Sequence, residues 1–125
     1  FITSFSKKMY EITGKRCVES LLKYTTYDIV VLLEDQETLD IDSKRIILHS
    51  IYEYGYFNNV KTKNLDIIPK HYGGISKIKA RSRDNYYNYN AINWWKKISA
   101  MYIANKNYKN NVLLWVDCDC YLKKK

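Results

Sequence analysis

With 125 residues, 27% of them charged and 46% hydrophobic, the chain has room for one domain with a single core and is too short for two. No stretch approaches the roughly 18 consecutive apolar residues that a membrane span requires, and nothing reads as a secretory leader. A net charge of +8 favours anionic ligands such as nucleotide phosphates, nucleic acid or acidic membrane, although the joint abundance of Lys, Asn, Ile and Tyr is also what A/T-rich codons produce.

Phe1 to Phe5 reads as a short strand running into a loop, followed by a helical stretch from Lys7 to Lys23 with Met9, Ile12, Cys17 and Leu21 on one side. Gly14 interrupts that stretch at a cost of about 1 kcal/mol relative to alanine, so a bend or a late start is expected there. Ile29 to Leu33 is the clearest strand, dense in β-branched residues and closed by Glu34 and Asp35. Strand, helix, strand in this order implies a right-handed parallel crossover. Asp42 or Ser43 is expected to cap a further helix carrying Ile46, Ile47, Ile51 and Tyr54 and stopping at Gly55.

From Asn58 to Tyr89 the pattern is weak, punctuated by Pro69, Gly73 and Gly74, with Ile75 and Ile78 the only material for a short strand. So long an irregular stretch within a compact domain usually serves a site. Ala91 to Asn105 is predicted as a helix burying Ala91, Trp95, Ile98 and Tyr102, its stripe widened by Trp94 and Met101, with Lys96, Lys97, Ala100 and Ala104 opposite. Val112 to Asp117 then reads as a strand without polar alternation, of the kind covered on both faces. The fold class predicted is α/β, a Rossmann-like, mostly parallel sheet with helices on both faces. The opening at Phe1 and the close at Lys123, Lys124 and Lys125 are read as those of a fragment or an excised domain.

The chemistry concentrates in Asp117-Cys118-Asp119. In open α/β sheets ligands bind beyond the carboxyl ends of the strands, where this strand delivers two carboxylates. Strand alternation places them on opposite faces, so one ion can use both only if the backbone turns. Mg²⁺ or Mn²⁺ suits such a pair, because these ions complete their shell with water and substrate phosphates, and a cation relieves the repulsion between the acids. Standing alone the triplet is a weak motif, equally compatible with a strand end carrying solvated acids; the apolar run ahead of it, the α/β order and the basic chain favour phosphate chemistry. Cys17, Cys118 and Cys120 cannot all pair, and the last two lie too close along one strand for an unstrained bond, which points to a reducing, cytoplasmic compartment. Their spacing is wrong for zinc. His49 and His71 show no recognisable partners.

Four stretches carry a resemblance: Phe1-Ile2-Thr3-Ser4-Phe5-Ser6, Tyr10 through Ser20 with Gly14-Lys15-Arg16 and Glu19-Ser20, Ala91 through Ala100 with Trp94-Trp95-Lys96-Lys97, and Leu113-Leu114-Trp115-Val116-Asp117-Cys118-Asp119. In order and separation they resemble nucleotide-sugar-dependent glycosyltransferases of the GT-A fold, of the type found in bacteria and large DNA viruses, with their Leu-Trp-Leu-Asp-x-Asp strand. The match is poor from Thr38 to Asp84. The resemblance implies that Thr3, Ser4 and Phe5 contact base or ribose with Glu34 or Asp35 nearby. It further implies that Asp119 holds Mn²⁺ or Mg²⁺, that Asp117 serves the ion and the ribose or sugar, and that Lys97 approaches the diphosphate or donor sugar. The partners implied are a nucleoside diphosphate sugar and a glycan or other hydroxyl acceptor. The chain would form one nucleotide-sugar-binding domain, part of a longer transferase whose acceptor site and catalytic base follow residue 125. Trp95 and Asn93 depart from the family pattern, where a small or polar residue and a basic one are frequent.

Two rival readings stand beside it. In a haloacid-dehalogenase-like phosphatase Asp117 would be the nucleophile and Asp119 the acid/base, but that motif usually opens its domain and needs lysine and further acids downstream. A basic nucleic-acid-binding module would set Lys77, Lys79, Arg81 and Arg83 on phosphates and stack bases on Tyr86, Tyr87 and Tyr89; no recognised nucleic-acid signature accompanies them, and no nucleic-acid partner is expected.

Overall fold

The run Ile29-Val30-Val31-Leu32-Leu33 forms β2 (Ile29–Leu33), and all five side chains are buried, as β-branched and aliphatic residues without alternation should be when both faces of a strand are covered. In this computed structural model, which describes residues 1–63 and 83–124 and leaves the side chains of 60–63 and 83–93 outside the description, β2 is flanked by β1 (Ile2–Phe5) and β3 (Ile46–Ser50). Both pairings are parallel, with Ile2 opposite Val30 and Ile29 opposite Ile46.

Alternation along β1 and β2 divides the core. On one face Phe5, Ile29, Val31 and Leu33 pack with Cys17, Val18 and Leu21 of α2 (Lys15–Tyr24). On the other, Ile2, Val30 and Leu32 pack with Ala100, Ile103 and Ala104 of α4 (Arg83–Asn107). The molecule is therefore a small α/β domain with an all-parallel three-stranded sheet and helices on both faces, compatible with a Rossmann-like arrangement. None of its described helices is long and apolar enough to cross a membrane.

The first helical stretch starts where expected, with the Ser6 hydroxyl accepting the Met9 N–H at 3.3 Å. It runs as α1 (Lys7–Met9), a π-helical turn over Tyr10–Gly14 and then α2. Gly14 ends the π turn with ordinary helical dihedrals, so its role is spatial: a Cβ there would stand 3.0 Å from the Phe5 ring.

Three expectations are corrected. Ile46 to Ser50 is strand β3 and not a helix: it pairs with the free edge of β2, and the Ser43 hydroxyl accepts the Arg45 N–H in a turn instead of capping a helix. Helical spacing among Ile46, Ile47 and Ile51 concealed a β-branched run whose backbone groups had a partner strand waiting. Gly55 does sit at a helix boundary, with φ +64 between the 3-10 turn Glu53–Gly55 and α3 (Tyr56–Lys63).

Helix α4 exists and is longer than predicted, but it buries the opposite face. Ser99, Ala100, Ile103 and Ala104 are buried, while Trp94, Ile98, Met101 and Tyr102 are exposed. The sheet contact is made by Ile103 among small residues, Trp95 is half-buried against Phe57, and the other large apolar residues of the predicted stripe are turned away from the sheet. The Val112 to Asp117 run is not a central strand either. It meets the outer edge of β1 through one bridge, Ile2 to Trp115, with the Ile2 N–H donating to Leu114 O and the Val116 N–H to Ile2 O; Val112 is 98% exposed. The strand covered on both faces is β2.

The predicted irregular region contains α3 and the start of α4. Residues 64–82, with Pro69, His71, Gly73, Gly74, Ile75 and Ile78, lie outside the described residues.

Candidate functional site

From β1 the chain steps to β2 and then β3, and it returns through α4 to lay residues 114–116 along the other side of β1. A crevice opens at such a reversal, beyond the carboxyl ends of the strands. Here it is a cleft of about 360 Å³ bordered by Ser4, Phe5 and Ser6 from β1 and its loop, Glu34 after β2, Lys96 and Lys97 from α4, and Trp115, Asp117 and Asp119 from the last segment. A larger cavity of about 480 Å³ at the amino ends of the strands is lined mainly by apolar groups such as Phe1, Tyr27, Val30 and Ile47, with Asp28 the one charged side chain among its described lining residues. Size favours the second cavity and chemistry the first, which gathers the titratable groups.

The acids enter the cleft because the backbone turns. The Cys120 N–H donates to Asp117 O at 2.9 Å, closing a tight turn over Cys118 and Asp119. That turn is fastened to α2: the Cys17 thiol approaches Asp117 O at 3.8 Å, the Leu122 N–H donates to the Ser20 hydroxyl at 3.0 Å, and the Arg16 guanidinium lies 3.8 Å over the Tyr121 ring. Burial pushes the Cys17 thiol up to about 12 and raises Cys118 as well, so both remain protonated at neutral pH. All three cysteines are free thiols.

Asp117 accepts two side-chain hydrogen bonds. The Trp115 Nε1–H donates to its Oδ1 at 2.6 Å, and Lys97 Nζ donates to the same oxygen at 2.9 Å. The indole hydrogen bond first, and the ammonium second, hold its carboxyl below the usual 3.8. Asp119 is exposed and also lines the cleft. Across the floor Lys96 pairs with Glu34 at 2.6 Å.

Of the residues proposed from sequence, Ser4, Phe5, Glu34, Lys97, Asp117 and Asp119 meet around this cleft. Thr3 does not: it is fully buried, its hydroxyl without a hydrogen-bond partner among the described residues. Asp35 is also outside the lining and accepts the Lys7 N–H at the start of α1 at 2.5 Å. Lys96 and Trp115 belong to the cleft although sequence reasoning gave them no role there, Lys96 standing opposite the predicted apolar stripe and Trp115 within a strand read as covered on both faces. For Lys96 the signal was adjacency to Lys97; for Trp115 the sequence carries none. His49 has partners after all, Glu53 at Nδ1 and the Tyr108 hydroxyl at Nε2, both at 2.8 Å, which tie β3 to the end of α4.

Among the described residues no three His, Cys, Asp or Glu side chains converge as a metal cage. Mg²⁺ and Mn²⁺ need less, since one or two carboxylates suffice when phosphates supply the remaining ligands. The donor set fits: two carboxylates across one turn, with both hydrogen bonds to Asp117 gathered on Oδ1. Lys77, Lys79 and Arg81 lie outside the described residues, as do the side chains of Arg83, Tyr86, Tyr87 and Tyr89. No protein-family model, curated protein or solved structure matches the chain.

Proposed function

We propose that this chain is the donor-binding part of a metal-dependent glycosyltransferase of the GT-A type, moving a sugar from a nucleoside diphosphate sugar to a hydroxyl acceptor. The observation that supports it is the placement of the Asp117 to Cys120 turn beside the carboxyl end of β1, in one cleft with Lys96 and Lys97. Three carboxylates against two ammonium groups leave that cleft one negative charge, so by itself it repels a diphosphate. One divalent ion reverses the sign.

Asp119, exposed on the turn, is the principal ligand for Mn²⁺ or Mg²⁺, and Asp117 the second. When bound, such an ion acts as a Lewis acid toward the diphosphate as its negative charge grows. Trp115 fixes the orientation of Asp117 through Oδ1. Ser4 to Ser6 form the wall nearest the nucleoside, with Phe5 stacked on Tyr10 at 5.3 Å beneath it. The phosphatase reading is less well supported, because the cleft's third carboxylate, Glu34, is engaged by Lys96 and does not converge with Asp117 and Asp119 among the described residues.

Calorimetric titration with nucleoside diphosphates tests the reading. Affinity at least about tenfold higher with Mn²⁺ than without, lost in Asp119→Ala, is expected. Binding indifferent to both metal and Asp119 removes the basis of the proposal.

A further inference from the structure

One of the two acids assigned to the cation already has a positive partner. Lys97 Nζ lies 2.9 Å from Asp117 Oδ1 and 5.0 Å from the centre of the Trp115 ring, so the indole face and the carboxylate hold the ammonium together. The lysine comes from a helix fixed on the sheet by buried Ser99, Ala100, Ile103 and Ala104, so a rigid element aims its head into the cleft. We propose that Lys97 is a built-in counter-ion of Asp117 that competes with the divalent cation and is drawn off when a diphosphate enters, making cation and diphosphate bind cooperatively.

This rests on the reading of Asp117 and Asp119 as the cation site. An ammonium and a divalent ion sharing one carboxylate repel each other at a few ångströms, so Lys97 must lower the affinity for the ion alone. An arriving diphosphate offers the ammonium a second anionic partner, which relieves that repulsion. Linkage then requires that each ligand tighten the other by the same factor. Lys96 is not suited to the exchange. Its pair with Glu34 is the more buried, with side chains 22% and 12% exposed, against 42% and 57% for Lys97 and Asp117. Loose, solvated pairs are the ones that exchange at little cost.

Electron paramagnetic resonance of free Mn²⁺ separates the possibilities, using the full chain at neutral pH with and without a nucleoside diphosphate. Lys97→Met and Lys97→Gln should bind Mn²⁺ alone about three- to tenfold more tightly than the unaltered protein, whereas Lys97→Arg should bind it as the unaltered protein does. The factor by which the diphosphate tightens Mn²⁺ should shrink in both neutral variants. Unchanged or weaker Mn²⁺ affinity in the neutral variants, with binding still abolished by Asp119→Ala, overturns the counter-ion role and leaves the cation site standing. Absence of Asp119-dependent Mn²⁺ binding in the unaltered and neutral forms alike overturns both.

Discussion

Single side chains set the shape of the cleft. Phe5 lies between Tyr10 and Gly14, and the missing side chain at Gly14 is what admits its ring. Alanine is the better helix former by about 1 kcal/mol, yet overpacking a filled core costs about 1 to 3 kcal/mol, so Gly14→Ala should lower the urea midpoint. A raised midpoint would show that the ring moves aside freely. At Asp117 the indole hydrogen bond is the largest single cause of the lowered pKa, and Lys97 adds to it through both its hydrogen bond and its charge. Trp115→Phe and Lys97→Met should therefore each bring the Asp117 carboxyl titration back toward 3.8 in an NMR titration. Because the folded value lies below the unfolded one, Asp117 contributes stability above about pH 4 that is lost as pH falls through the folded value. Asp117→Asn should flatten that part of the acid limb of a denaturation series. The carboxylate pair was legible because two acids after an apolar run are conspicuous. Trp115 was not, since nothing in a sequence distinguishes an indole that fills a core from one that also donates to the acid two residues on.

Among the elements, β1, β2 and α2 could be read from sequence because local pattern and tertiary environment agree: a β-branched run became the middle strand, and a serine-capped stretch became the crossover helix. Helix α4 was placed correctly but turned the wrong way. Its large apolar residues mark a stripe at helical spacing, yet the sheet accepts the narrow Ser99, Ala100, Ile103 and Ala104 side, and this same rotation carries Lys96 and Lys97 into the cleft. Ala100→Leu should consequently destabilise the protein by about 1 to 3 kcal/mol, while Ile98→Lys should change stability by less than about 0.5 kcal/mol. Thermal melts showing the reverse order would restore the face expected from periodicity. Strand β3 was missed for a related reason: spacing cannot reveal that β2 has an edge to fill. Arg45, just before it, donates to Thr25 O at 2.6 Å and to Leu22 O, satisfying carbonyls at the end of α2. Arg45→Gln should cost about 1 to 2 kcal/mol and speed hydrogen exchange at the Thr25 amide, whose bond to Leu21 O closes that helix.

At the scale of the molecule, topology does what no single motif could. A chain that steps outward through three parallel strands and returns to the far side of the first leaves a cleft beside β1, and the return delivers the acids from one side and the lysines from another. The net charge of +8 says little about this, because the cleft itself is negative by one charge and gains affinity for a diphosphate only with a cation. Paramagnetic broadening locates that cation most directly. With substoichiometric Mn²⁺ and a nucleoside diphosphate, amide signals of residues 4–6 and 117–120 should disappear first together with the ligand's phosphorus signals, and Asp119→Ala should restore them. Broadening centred on the amino ends of the strands near Asp28, or spread evenly over the surface acids, would contradict a cation site at the Asp117 to Cys120 turn.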